Sequence, residues 1–178
     1  MNFKYPYVIT RPNIADYPSH LKDYILKSKG KDGFEALLLS AEAVTQQLSE
    51  LSVEELSNRY GKDKWSLQEV FMHLIDNERM FQNRGFRIAR NESKSLSGYD
   101  QDRYVKSYPK IVRTRESLIE EYETVRKSTF LLFVSLTGDM MTKKGRIGRN
   151  VIDLSAIPFI IAGHDWHHLE VIKRKYLK

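Results

Sequence analysis

The sequence predicts an all-α protein, a four-helix bundle preceded by an irregular N-terminal arm. Three observations point there. Four segments of roughly twenty residues carry apolar side chains spaced three and four apart, the period of one helix face. No stretch shows the convincing period-2 alternation of a strand. The connections between the segments are long and polar, as crossover loops are, rather than tight hairpins. The chain has 178 residues, enough for one domain with its own core. No internal repeat or low-complexity linker divides it, so residues 1–30 read as the arm and residues 31–178 as a single bundle domain.

Taken in order, the arm holds Pro6, Pro12 and Pro18, which interrupt regular structure, and one short helix over residues 17–26. The first long helix buries Leu37, Ala41, Val44, Leu48 and Leu51. Asp32, with Glu35 three residues on, supplies its N-cap and a reciprocal carboxylate. After the polar stretch LSVEELSNRYGKDK, Ser66 and Glu69 form a capping box that opens the second long helix. Val70, Leu74, Phe81 and Ile88 give that helix its apolar stripe. Residues 91–110 read as a long connection with a short helical turn at YDQDRYV. The third helix covers residues 114–136 and buries Leu118, Tyr122, Val125, Leu132 and Leu136. TGDMMTKKGRIGRN reads as an extended turn. The fourth helix starts near Ser155, where Pro158 is tolerated because the first turn loses no helical hydrogen bond.

Composition excludes several function classes. No apolar run approaches the roughly 18 residues of a membrane span. The opening MNFKYPYVITRPN lacks the basic-then-apolar layout of a secretory signal, so a cytoplasmic protein is expected. The absence of cysteine removes disulfides, thiolate metal sites and cysteine nucleophiles together. Chemistry must then run on histidine, carboxylate, hydroxyl or a bound metal. The net charge of +6 would suit an anionic partner. The charges are nevertheless spread through mixed-sign stretches, and no nucleic-acid motif accompanies them. The densest basic groups are Lys143, Lys144, Arg146 and Arg149, and the tail Lys173, Arg174, Lys175 and Lys178. Cations at the end of a helix complement its dipole.

The informative segment is IPFIIAGHDWHHLEVIKRKY. At about 100° per residue, His164 and His168 lie about 40° apart, one turn from each other, in the middle of the stripe of Ile157, Ile160, Ile161, Val171 and Ile172. His167 falls on the flank of that stripe and Trp166 points away. On the second long helix His73 borders the apolar stripe and leans inward. Three imidazoles from two helices can therefore meet inside the bundle. Inward polar groups must be satisfied. Spacing leaves two readings, core histidines bonded to a carbonyl or carboxylate, and ligands of a divalent metal held from one helix face by an i, i+4 pair. His167 could replace either neighbour or act as a base beside them. His20, in the arm, reads as a surface residue.

KWSLQEVFMHLIDNERMF, then YDQDRYV, then IPFIIAGHDWHHLEVI together resemble the DinB/YfiT-like superfamily. RPNIADYPSHLKDYI is similar to the arm that precedes the bundle in one branch of it. The resemblance covers essentially the whole chain. It implies a four-helix bundle, commonly a homodimer in bacterial proteins, with a divalent metal such as zinc or nickel on three histidines. By position these are His73, His164 and His168. It also implies an activity among the thiol-dependent S-transferases and isomerases, which use low-molecular-weight thiols, or the metal-dependent hydrolases.

A metal with an open position can lower the pKa of a bound thiol or activate water. With no protein cysteine, any sulfur arrives with a low-molecular-weight thiol beside the small-molecule substrate. No catalytic residue is assigned. Tyr99, Asp100 and Asp102 read either as lining the site or as turn and capping residues. Asp76 and Glu78 read as solvated helix charges, and Asp165 as an acceptor that orients a ligand imidazole. The competing class is a non-catalytic, stress-related bundle that binds a partner or a small molecule.

Overall fold

The structure is a computed structural model that describes residues 5–15 and 17–177. Lys178, the last member of the basic tail, lies outside the described residues. Helix α1 (Ser19–Lys27) follows the arm. The bundle helices are α2 (Gly33–Ser49), α4 (Leu67–Ala89), α6 (Arg115–Val134) and α7 (Ala156–Lys175), with the short α3 (Val53–Leu56) and α5 (Gln101–Ser107) in the connections. They form a ring in the order α2–α7–α4–α6, and α1 lies against the outside of α7. The chain is a four-helix bundle.

Local chemistry starts each helix. Asp32 Oδ1 accepts from the Phe34 and Glu35 amides at 2.8 and 3.0 Å. Glu35 reaches back to the Lys31 amide, one residue before the cap. Ser66 and Glu69 make the full capping box, and Thr114 caps α6 through the Ser117 amide. In α6 the core positions fall to Phe130 and Phe133, while Leu132 is half-buried.

Residues 138–153 depart from the expected extended turn. They form a 3-10 turn (Gly138–Thr142) and an antiparallel hairpin, β1 (Lys144–Ile147) with β2 (Asn150–Asp153). The two-residue turn needs a positive φ at its first position, and Gly148 supplies it at 57°, the pattern of a type II′ turn. Strands of four residues are too short for alternation to stand out in sequence. The hairpin is pinned by Leu96, whose amide donates to the Arg146 carbonyl at 2.7 Å.

Two apolar clusters fill the bundle. One contains Leu37, Phe81, Phe130 and Ile161, the other Val44, Ile75, Val125 and Leu169. Between them, at the level where all four helices face one another, the buried residues turn polar: Ser40, His73, Glu78, Arg126, His164 and Asp165. The arm closes one side of this level. Arg11 donates to the Ile25, Ser28 and Gly30 carbonyls and lies 4.4 Å over the Phe159 ring. Helix α1 then packs so closely on α7 that a Cβ on Gly163 would sit 1.6 Å from the Tyr24 carbonyl oxygen. Gly163→Ala is therefore expected to lift α1 off α7 and destabilise the protein by about 1–3 kcal/mol, the usual cost of overpacking. Urea denaturation measures it.

Candidate metal centre

His73 projects from α4, and His164 and His168 project one turn apart from α7. Their Nε2 atoms, His73 to His164, are 3.1 Å apart. One ligand atom from each of the three residues lies within 4.8 Å of the others. The rings meet edge to face with centroids 4.5–5.0 Å apart. His73 and His164 are 1 % and 3 % exposed, so nearly all of their hydration is lost. Tyr24 of α1 meets His164 edge-on at 5.2 Å and His167 at 5.7 Å, and Trp65 covers His73 at 4.9 Å. A cleft of about 290 Å³, lined by Tyr60, Trp65, Asp102, His167, His168 and Tyr176, opens onto the cluster.

Burial sets the electrostatics. It pushes the His73 pKa down to about 4 and those of His164 and His168 well below the ordinary imidazole value. All three rings are thus neutral at pH 7 and present lone pairs. Three neutral imidazoles suit zinc, nickel and similar ions. Two nitrogens bound tetrahedrally to one zinc lie about 3.3 Å apart, close to the observed separation. A proton shared by His73 and His164 would leave His168 unserved, and its Nδ1 is buried without a partner. In the metal-free protein these depressed values predict acid sensitivity. Below about 6.5 the unfolded chain takes up protons that folded His73 refuses until about 4. Stability should therefore fall as pH drops through that window, by about 3 kcal/mol for His73 alone, read from urea denaturation at several pH values.

Glu78 is not a solvated charge. It is 1 % exposed and receives Arg126 Nε and Nη2 at 2.8 and 2.9 Å. Asp165 does not reach a histidine. It sits about 100° around α7 from His164 and faces α2 and α6. Its Oδ2 accepts from Arg126 Nη2 at 2.7 Å, Ser40 Oγ at 2.8 Å and the Tyr122 hydroxyl at 2.9 Å. Burial raises the Glu78 pKa and the Arg126 charge pulls it back. Burial likewise holds the Tyr122 phenol protonated.

Asp76 is half-buried and accepts from the Tyr108 hydroxyl at 2.8 Å. Trp166 does not point freely away, since it is half-buried with Lys29 Nζ 3.5 Å over its ring. Asp100 caps α5 through the Arg103 amide at 3.0 Å. Asp102 lines the cleft. Tyr99 donates to Asn77 Oδ1 at 2.9 Å. His20 is exposed, as are Lys144, Arg146, Arg149 and the residues 173–175 at the end of α7. No helix among the described residues is long and apolar enough to cross a membrane. The sequence reading missed Tyr24, Asn77 and Arg126, because each gains its role only through a contact between distant segments.

A ring of four helices around a buried polar level, with three histidines converging there, defines a bundle of the kind that holds its site between facing helices. The model of the DinB superfamily matches residues 36–172, and the chain belongs to that superfamily. Solved structures share the fold, among them the following two. YfiT from Bacillus subtilis, described as a probable metal-dependent hydrolase with an unusual four-helix bundle topology, is 18 % identical, with a TM-score of 0.65 over 98 % of each chain. A mycothiol-dependent maleylpyruvate isomerase is 12 % identical, with a TM-score of 0.61 over 88 % of this chain. The match spans 61 % of the isomerase's length. Among curated proteins, none matches the sequence significantly.

Proposed function

We propose that His73, His164 and His168 hold one divalent cation, of the zinc or nickel kind, and that the protein is a metal-dependent enzyme acting on a small molecule. The observation that carries this is the convergence of three neutral imidazoles, two buried and the third, His168, half-buried where the cleft opens onto it. A bound divalent ion supplies a Lewis acid that lowers the pKa of a thiol or a water at neutral pH. Tyr24 and Trp65 wall the cluster with aromatic surface and keep bulk water from the imidazoles. His167, half-buried at the mouth between Tyr24 and His168, is placed to take up or return a proton during turnover. Asp102 and Tyr176 line the cleft where the reacting molecule enters.

Two neighbours in fold support the finer reading, one described as a metal-dependent hydrolase and one as mycothiol-dependent. With no cysteine in the chain, a transferase of this kind takes its sulfur from a low-molecular-weight thiol. A cytoplasmic bacterial enzyme working as a homodimer belongs to the same reading, and sedimentation gives the oligomeric state. The first test is metal content after incubation with Zn²⁺, Ni²⁺ and Mn²⁺. A protein that stays metal-free overturns the proposal. The second compares metal-dependent loss of a small electrophile with glutathione, bacillithiol or mycothiol against thiol-independent hydrolysis. Metal uptake with neither activity would favour the non-catalytic bundle.

A further inference from the structure

Among the described residues two arginines are buried in the bundle, and they differ in one respect. Arg126 is paired with Glu78 and Asp165. Arg84, 6 % exposed, has no carboxylate within ion-pair distance among the described residues, and its one protein acceptor is the Ser97 carbonyl at 3.0 Å from Nη2. Its Nε is buried with no acceptor. A guanidinium keeps its proton in any protein environment, so the charge cannot be shed. A buried cation with donors to spare is costly unless an anion completes it.

The placement is informative. Arg84 lies about three turns beyond His73 on α4, so His73, Asn77 and Arg84 share one face of that helix. Helical side chains lean toward the N-terminus, and the Arg84 guanidinium accordingly lies 4.6 Å over the Phe81 ring, one turn back toward His73. Tyr99 fixes the Asn77 amide by donating to its Oδ1, which turns Nδ2, the donor end of that amide, away from Tyr99. Tyr99 also lies within electrostatic reach of both Arg84 and Tyr24, the edge-on neighbour of His164. His73, Asn77 and Arg84 thus follow one another along this face of α4, with the Phe81 ring under the guanidinium. Exposed backbone at Ser97 and Gly98 caps the Arg84 end of that face, and a side-chain carbon on Gly98 would meet nothing within 4 Å.

We propose that Arg84 and Asn77, with Tyr99 orienting the amide, form an anion subsite for a carboxylate of the small molecule handled at the histidines. The planar fork of a guanidinium matches the two oxygens of one carboxylate group bidentately, and its charge balances that group's single negative charge. The assignment of this carboxylate to the substrate rests on the metal-site reading above; the subsite itself requires no metal.

The test uses full-length protein labelled with ¹⁵N-arginine, titrated with succinate and, separately, with inorganic phosphate. The Arg84 Nε–H resonance, identified by its loss in Arg84→Lys, should move saturably with succinate. Calorimetry should show binding weakened about tenfold in Arg84→Lys, which keeps the charge and loses the fork, and several-fold in Tyr99→Phe. An unmoved Arg84 resonance in folded protein, binding unchanged in both variants, or tighter binding of phosphate overturns the proposal. Metal content of the same samples keeps the readings apart. Metal uptake without succinate binding removes only the subsite, and succinate binding without metal uptake removes only the metal centre.

Discussion

His73→Ala is expected to lower zinc affinity by well over ~100-fold while leaving the helical content of the bundle intact. Removing groups that merely orient metal ligands typically costs 10–100-fold, and a ligand drawn from a set of three costs more. His164→Ala and His168→Ala should behave alike. His167→Ala should retain the metal, because His167 stands at the mouth, beside Tyr24 and His168, rather than in the converging set. Competition with a chromophoric chelator measures all four. Equal losses in the His167 and His168 variants would sink the assignment and show that the two exchange roles.

Arg126→Leu is expected to cost about 3–5 kcal/mol, because it strands the buried Glu78 and Asp165 carboxylates without their counter-charge. For a chain of this size that is a fall of about 10 °C in melting temperature. The same guanidinium bonds the Leu37 carbonyl and Ser40 on α2, so its loss reaches every helix of the ring. Replacing Arg126, Glu78 and Asp165 together by leucine should recover most of the deficit, since an apolar substitute for a whole buried ion cluster is often close to neutral. Chemical denaturation of the single and triple variants distinguishes these outcomes. A single-variant loss below about 1 kcal/mol would mean that the carboxylates find other partners.

Much of the scaffold was legible because it is written locally. The Ser66–Glu69 box, the Asp32 cap and the spacing of Val70, Leu74, Phe81 and Ile88 each depend on residues within a few turns of one another. The three histidines were legible as an inward set for the same reason, through helix phase. Which partners satisfy the other inward polar groups was not. Glu78 and Asp165 looked like surface and orienting carboxylates because their partner, Arg126, sits on a third helix, in a segment rich in charge. Tyr24 lies in the short helix expected within the arm, but periodicity cannot say that it packs on a residue as distant as His164. The hairpin escaped because its turn is Gly-Arg rather than Asn-Gly and its strands have four residues each.

The packing of α1 on α7, tight enough to require Gly163, has a consequence for how the protein is made. The histidine pocket takes one wall from an early helix and two of its imidazoles from the last one. On the ribosome Tyr24 emerges long before its partner surface exists. At typical elongation rates of 5–20 residues per second the delay is roughly 7 to 28 seconds. Throughout that interval α1, with Leu21 and Ile25, lacks the α7 surface on which it packs. The pocket is thus assembled last, after synthesis of the bundle is all but finished.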